Sequence, residues 1–110
     1  KQKLAPVTEL KDLGMTLSVV SSELRKKFKL RDTVEGVIVI EVDPAGPAAE
    51  KRIPAGAIIR KIGPNQKIVK TPEQVRERVE EARKAKQSTI LVLIESGGAQ
   101  RFVALSMPQD

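Results

Sequence analysis

The stretch AGPAAEKRIPAGAIIRKIG, Ala45 to Gly63, decides how this chain folds. It begins where an apolar run, Val37-Ile38-Val39-Ile40-Glu41-Val42, stops at Asp43-Pro44. A near-continuous β-branched run reads as a strand covered on both faces. Gly46 as N-cap and Pro47 at the first helical position predict a one-turn helix, because proline lacks the N–H that would have no partner there anyway. Ile53 is predicted to cover the core. Pro54-Ala55-Gly56 turns the chain, and Ala57 to Ile62 forms the next strand, ended by the turn signal Gly63-Pro64-Asn65.

Towards the C-terminus, Ile68-Val69 reads as a short strand. Thr71-Pro72-Glu73-Gln74 starts a helix over about 72–85: Thr71 caps, Pro72 has its φ pre-set, and Gln74 stands where a capping box takes Glu or Gln. Val75, Val79 and Ala82 fall on one apolar stripe. Arg76 with Glu80, and Glu80 with Lys84, are spaced as i,i+4 ion pairs. Thr89 to Ile94 is a buried-type strand, Ser96-Gly97-Gly98 a turn, and Arg101 to Leu105 the last strand. Towards the N-terminus, Leu13 to Val20 reads as a strand, and Ser21 or Ser22 caps a short helix whose Leu24 and Phe28 share a face, with Leu30 tucked under its end. Residues 1–11, polar and broken by Pro6, read as a linker. The predicted domain is 12–107 and residues 108–110 are a tail. With so few crossover helices, the fold class is α+β: about five or six strands in a mostly antiparallel partial barrel or sandwich, one longer helix and two short ones.

Composition narrows the chemistry. At 110 residues and 40% apolar, the chain supports one domain with a modest core. Phe28 and Phe102 are its only aromatics, so no stacking platform for single-stranded nucleic acid exists. The net charge of +6 is ordinary for a soluble small domain; attraction to acidic partners is the sharper reading, but no nucleic-acid motif accompanies it and no nucleic-acid partner is expected. There is no cysteine and no histidine, which removes thiol chemistry, the commonest zinc ligands and the usual neutral-pH general base. No cofactor and no metal are implied. Ser96-Gly97-Gly98 is hairpin chemistry with no histidine to activate its serine, and Glu80-Glu81 is a solvated helix face. No apolar run reaches the length of a membrane span, and no signal peptide is recognisable. A chain starting at Lys1 is expected to be a piece of a larger protein.

The order of parts resembles a PDZ domain of the bacterial type, and more narrowly the PDZ domains of HtrA/DegP-like (Do-family) serine proteases, from about Asp12 to Met107. Leu13-Gly14-Met15 resembles the hydrophobic-Gly-hydrophobic carboxylate-binding loop. Leu24, Phe28 and Leu30 resemble the short helix between the first two strands. Val42-Asp43-Pro44-Ala45-Gly46-Pro47-Ala48-Ala49 is similar to the family's strand-turn-helix element, and Gly56-Ala57-Ile58-Ile59 to its turn into the next strand. Ala57 stands where the family usually has Asp and Gly46 where it often has Ser, which predicts looser local turns. The last strand lies close to the end of the sequence, as in the second, C-terminal PDZ domain of such a protease.

The resemblance implies a non-catalytic, peptide-binding module. An extended or C-terminal peptide would add to the free edge of the Leu13–Ser18 strand, with the Thr71 helix as the opposite wall. Backbone N–H groups near Leu13, Gly14 and Met15 would converge on a terminal carboxylate, with Lys11 adding positive charge. Thr16, Leu17 and Ser18 would line the groove, with Met15, Leu17 and Val79 around the terminal side chain and Arg76 further along. Implied partners are C-terminal or unfolded segments of substrate proteins and the neighbouring protease and PDZ domains of a serine endopeptidase in the bacterial periplasm or envelope. Periodicity alone reads Met15, Leu17 and Val79 as core. Two other readings stand beside this one. The first is a basic surface binder using Arg25-Lys26-Lys27-Phe28-Lys29-Leu30-Arg31, although such runs are usually wet helix faces. The second is a structural adaptor whose groove is already occupied.

Overall fold

The computed structural model of the chain describes residues 7–63 and 65–107. Seven strands, β1 (Val7–Leu10), β2 (Met15–Val19), β3 (Val37–Val42), β4 (Ile58–Ile62), β5 (Lys67–Ile68), β6 (Thr89–Ser96) and β7 (Ala99–Ser106), form one antiparallel sheet. Its order is β1-β2-β3-β4-β6-β7, with β5 paired to β4. Three helices, α1 (Ser22–Lys27), α2 (Pro47–Glu50) and α3 (Pro72–Lys84), complete the α+β fold.

Each face of the sheet carries its own apolar cluster. The larger holds Leu13, Leu17, Val37, Val39, Ile59, Ile62, Val92 and Leu105, together with Val75, Val79 and Ala82 from the stripe of α3. The smaller joins Val20, Ile38 and Ile58 to Leu24, Phe28 and Leu30 at α1. Alternation along β3 divides it between the clusters: Val37 and Val39 face one way and Ile38 the other, and all three are buried. Two faces lined mainly with aliphatic side chains, with Phe28 as the aromatic member of the smaller cluster, give a 110-residue chain its core. The Cβ of an alanine at Gly56 would lie 2.9 Å from Phe28 Cδ1, so the turn backbone there packs directly on the ring.

The helix starts follow the sequence. Ser21 Oγ accepts from Leu24 N at 3.2 Å, and Thr71 Oγ1 accepts from Gln74 N at 3.2 Å. Gln74 reaches back one residue further than a capping box requires, accepting from Lys70 N at 2.7 Å. The ion pairs on α3 differ from the expected ones. They lie at i,i+3, as Arg76–Glu73, Arg78–Glu81 and Arg83–Glu80, since on an exposed helix face neighbours three and four residues away are both within an arginine's reach.

One strand exceeds the expected number. Val7–Leu10, placed by the sequence in a linker over 1–11, is β1 and pairs with β2 residue for residue: Val7 with Ser18, Thr8 with Leu17, Glu9 with Thr16, Leu10 with Met15. Its short, mostly polar sequence hides it, since Leu10 alone of its four side chains is buried. Of the rest of the expected linker, Lys11 begins the turn after β1, and residues 1–6, like the expected tail 108–110, lie outside the described residues.

Candidate functional site

The loop between β1 and β2 is held from behind. Leu13 O accepts from Ala48 N at 3.0 Å, and Gly14 O accepts from Asp43 N at 2.8 Å. Both carbonyls are thus drawn to the turn before α2, which Asp43 closes by accepting from Ala45 N at 2.9 Å. Gly14 has φ +73, and an alanine Cβ there would meet Gly46 Cα at 2.9 Å; the reciprocal contact applies at Gly46. Backbone touches backbone at this point, which explains why glycine stands at Gly46: it seats the loop against the turn.

With the carbonyls engaged behind, the N–H groups of the loop turn forward. Leu13 N donates to Leu10 O at 3.1 Å and Gly14 N donates to the same oxygen at 2.8 Å. Two of the three donors expected to hold a terminal carboxylate, Leu13 N and Gly14 N, therefore hold the carbonyl at the end of β1, and Gly14 N is shared with Lys11 O at 3.2 Å.

The candidate groove residues come together, but the edge expected to be open is paired. β2 has β1 on one side and β3 on the other. β1 also contacts α3, so it lies in the slot between β2 and the longest helix. Within that slot Thr8 and Leu10 share a face with their partners Leu17 and Met15, while Val7 and Glu9 point away. Leu10 is buried in the same cluster as Met15, Leu17 and Val79. Met15, Leu17 and Val79 are all part of the core, as periodicity alone indicated. Ser18 is buried and donates from Oγ to Val19 O at 3.1 Å, and Thr16 is half-buried.

Two clefts remain open beside these residues: one of about 640 Å³ over the loop and β2, where Lys11, Gly14, Met15 and Thr16 meet Glu41, Val42 and Asp43, and a smaller one of about 220 Å³ lined by Glu9, Leu10, Lys11, Asp12, Arg76, Val79 and Glu80. Lys11 and Arg76 both line the smaller cleft. Facing them are Glu9, Asp12 and Glu80, so the rim is mixed in charge rather than positive. Arg76 is paired with Glu73, whose hydrogen bond and then whose charge push the guanidinium pKa above its ordinary value. Among the described residues no cluster of His, Cys, Asp or Glu is arranged to hold a metal, and no helix is long and apolar enough to cross a membrane.

The basic run around α1 is divided. Leu24, Phe28 and Leu30 turn inward, Arg25 Nε donates to Val34 O at 2.9 Å, and Lys26, Lys27, Lys29 and Arg31 are exposed. One contributor to the site region, β1, has no signature in the sequence. Arg101 donates to Lys51 O at 3.1 Å and Arg52 O at 2.9 Å and so satisfies carbonyls at the end of α2.

The same architecture recurs in solved structures. The HtrA3 PDZ domain bound to a phage-derived ligand (FGRWV) superposes with a TM-score of 0.60 at 19% identity, over 96% of this chain and 88% of that one. The chain has the fold of an HtrA PDZ domain. The HtrA-type protease AlgW with a decapeptide superposes with a TM-score of 0.71 at 20% identity, over 89% of this PDZ domain and 29% of that chain. Among curated proteins, the probable periplasmic serine endoprotease DegP-like of Brucella suis is 33% identical over 76 residues, which is 69% of this PDZ domain and 14% of that protein. Its namesake in Chlamydia muridarum is 26% identical over 99 residues, 90% of this PDZ domain and 19% of the relative. The PDZ domain thus spans less than a fifth of the length of these relatives, whose names place them in the periplasm. No family model matches the chain.

Proposed function

We propose that this PDZ domain is the non-catalytic, peptide-binding module of a periplasmic serine endopeptidase, one that seats extended or C-terminal segments of other proteins. In this reading it is the second PDZ domain of its parent, and it tethers substrates or regulates assembly through contacts with the neighbouring protease and PDZ domains. A guest strand lies antiparallel along β2 with α3 as the far wall. Leu13 and Gly14 offer N–H groups to its terminal oxygens, Met15, Leu17 and Val79 surround its last side chain, Thr16 and Ser18 pair along its backbone, and Lys11 and Arg76 stand at the rim. The observation that carries the reading is β1 itself: the slot between β2 and α3 is wide enough for an extended segment and has the donors to hold its end. Because backbone pairing supplies most of the attraction, the expected affinity is about micromolar, near −8 kcal/mol.

The test is a screen of random C-terminal peptides followed by amide NMR of the best binder. Perturbations should map to Leu13–Ser18 and to α3. Shifts confined to Lys26, Lys27, Lys29 and Arg31 that vanish with added salt would replace this reading with a basic-surface binder. A second reading, the structural adaptor with an occupied groove, is favoured by the pairing of β1 with β2. It predicts no peptide perturbation at all.

A further inference from the structure

Building on that peptide-binding reading, we infer that Val7–Leu10 is a releasable strap, an internal occupant that closes the groove and must leave before a guest segment can enter.

The argument begins with what β1 contributes. The opposite border of the sheet, β7, pairs with β6 through eight consecutive residues from Ala99 to Ser106. β1 pairs through four. Val7 is 57% exposed, Glu9 is exposed and Thr8 is half-buried, so Leu10 alone anchors the strand. A segment with one buried side chain and one paired edge belongs to the low-stability end of a domain, where local opening precedes global unfolding.

The second step concerns what stays behind. The loop carbonyls of Leu13 and Gly14 are tied to Ala48 N and Asp43 N, and none of these bonds involves β1. The Gly14–Gly46 contact is likewise independent of it. β2 keeps its ladder to β3. Departure of the strap would therefore expose an unpaired β2 edge, the apolar wall of Met15, Leu17 and Val79, and the Leu13 N–H, with the Gly14 N–H keeping its longer 3.2 Å bond to Lys11 O until a guest oxygen replaces Leu10 O. A tethered occupant competes at high effective concentration, so a guest sees only the open fraction of molecules and its apparent dissociation constant rises by the inverse of that fraction.

The chain supplies its own probe: a fluorescent hexapeptide with the sequence of residues 5–10, Ala-Pro-Val-Thr-Glu-Leu, with a free C-terminus. Its anisotropy is followed against three full-length proteins. The first is the wild type. The second is Leu10→Asp, which removes the anchor and leaves the groove walls intact. The third carries Glu9→Cys with Thr16→Cys, a directly opposed pair in a chain that has no other cysteine. Opposed residues of antiparallel strands have Cα atoms about 4.5–5.5 Å apart, within the span of a disulfide, so oxidation locks the strap and reductant frees it.

Leu10→Asp should bind the peptide at least about tenfold more tightly than the wild type, and the oxidised double variant should not bind until reduced. Equal affinity in all three proteins would overturn the strap while leaving peptide binding intact. A folded Leu10→Asp protein whose β1 amides exchange freely, yet which binds nothing, would remove the groove reading and the strap with it. Should Leu10→Asp fail to fold, wild-type hydrogen exchange decides. β1 amides exchanging at least about tenfold faster than those of β6 support the strap, and β1 amides exchanging only through global unfolding refute it.

Discussion

The Gly14–Gly46 contact gives the sharpest quantitative test, because the two contributions to its cost can be separated within this one molecule. Gly14 has both a left-handed φ of +73 and a would-be Cβ 2.9 Å from a backbone carbon. Gly97 has φ +61 with nothing within 4 Å, so Gly97→Ala isolates the conformational cost. Gly46 has φ −99 and the same 2.9 Å approach, so Gly46→Ala isolates the steric cost. A left-handed alanine costs about 1–2 kcal/mol, offset by about 0.4–1 kcal/mol from the stiffer unfolded chain, which leaves about 1 kcal/mol for Gly97→Ala. Forcing backbone away from backbone costs about 1–3 kcal/mol; at Gly46→Ala the same stiffening of the unfolded chain offsets about 0.4–1 kcal/mol of it, and at Gly14→Ala that offset is counted once, in the Gly97 figure. Gly14→Ala should cost the sum, about 2–4 kcal/mol. In thermal denaturation that is roughly 4 °C lost at Gly97 and at least about 8 °C at Gly14, at about 4 °C per kcal/mol for a domain of this size. Urea unfolding of the three variants at constant m checks the additivity. If Gly14→Ala falls within about 0.5 kcal/mol of Gly97→Ala, the contact carries no energy, and the account of the loop being seated against the α2 turn is wrong.

Three further outcomes follow from burial. Leu105→Ala, at a fully buried site on an eight-residue pairing, should cost about 2–5 kcal/mol in urea unfolding. Leu10→Ala should cost less than about 2 kcal/mol although Leu10 is only 6% exposed, because the strand can leave rather than hold a cavity, and equal losses would show β1 to be an integral part of the core. Val79→Asp places a carboxylate in the main cluster, so it should lower stability by at least about 3 kcal/mol in the same assay and is unsuited to probing peptide binding in a folded protein.

Most of the fold was legible because local chemistry and tertiary packing agree along most of the chain. The β-branched run of β3, the Pro47 start of α2, the Thr71 cap and the Val75-Val79-Ala82 stripe each state locally what the sheet and helix do globally. The i,i+4 ion pairs failed for a different reason. On an exposed helix face a long arginine has several acidic neighbours at similar cost, and spacing does not choose among them.

The state of the groove was not legible, and the cause is physical. Val-Thr-Glu-Leu has no periodicity long enough to read, and an isolated four-residue strand has no stability of its own; it exists because β2 offers an unpaired edge and α3 covers one leucine. An edge that can accept a guest accepts whichever extended segment is most concentrated beside it. Here the segment joined to β2 by a tight turn has that advantage, whatever its sequence preference. The residues proposed to make β2 a receptor for other chains, Gly14 with its N–H and the buried wall of Leu17 and Val79, are therefore the same ones that make Val7–Leu10 a strand. Occupation of the groove by its own leader is a consequence of the groove being well formed.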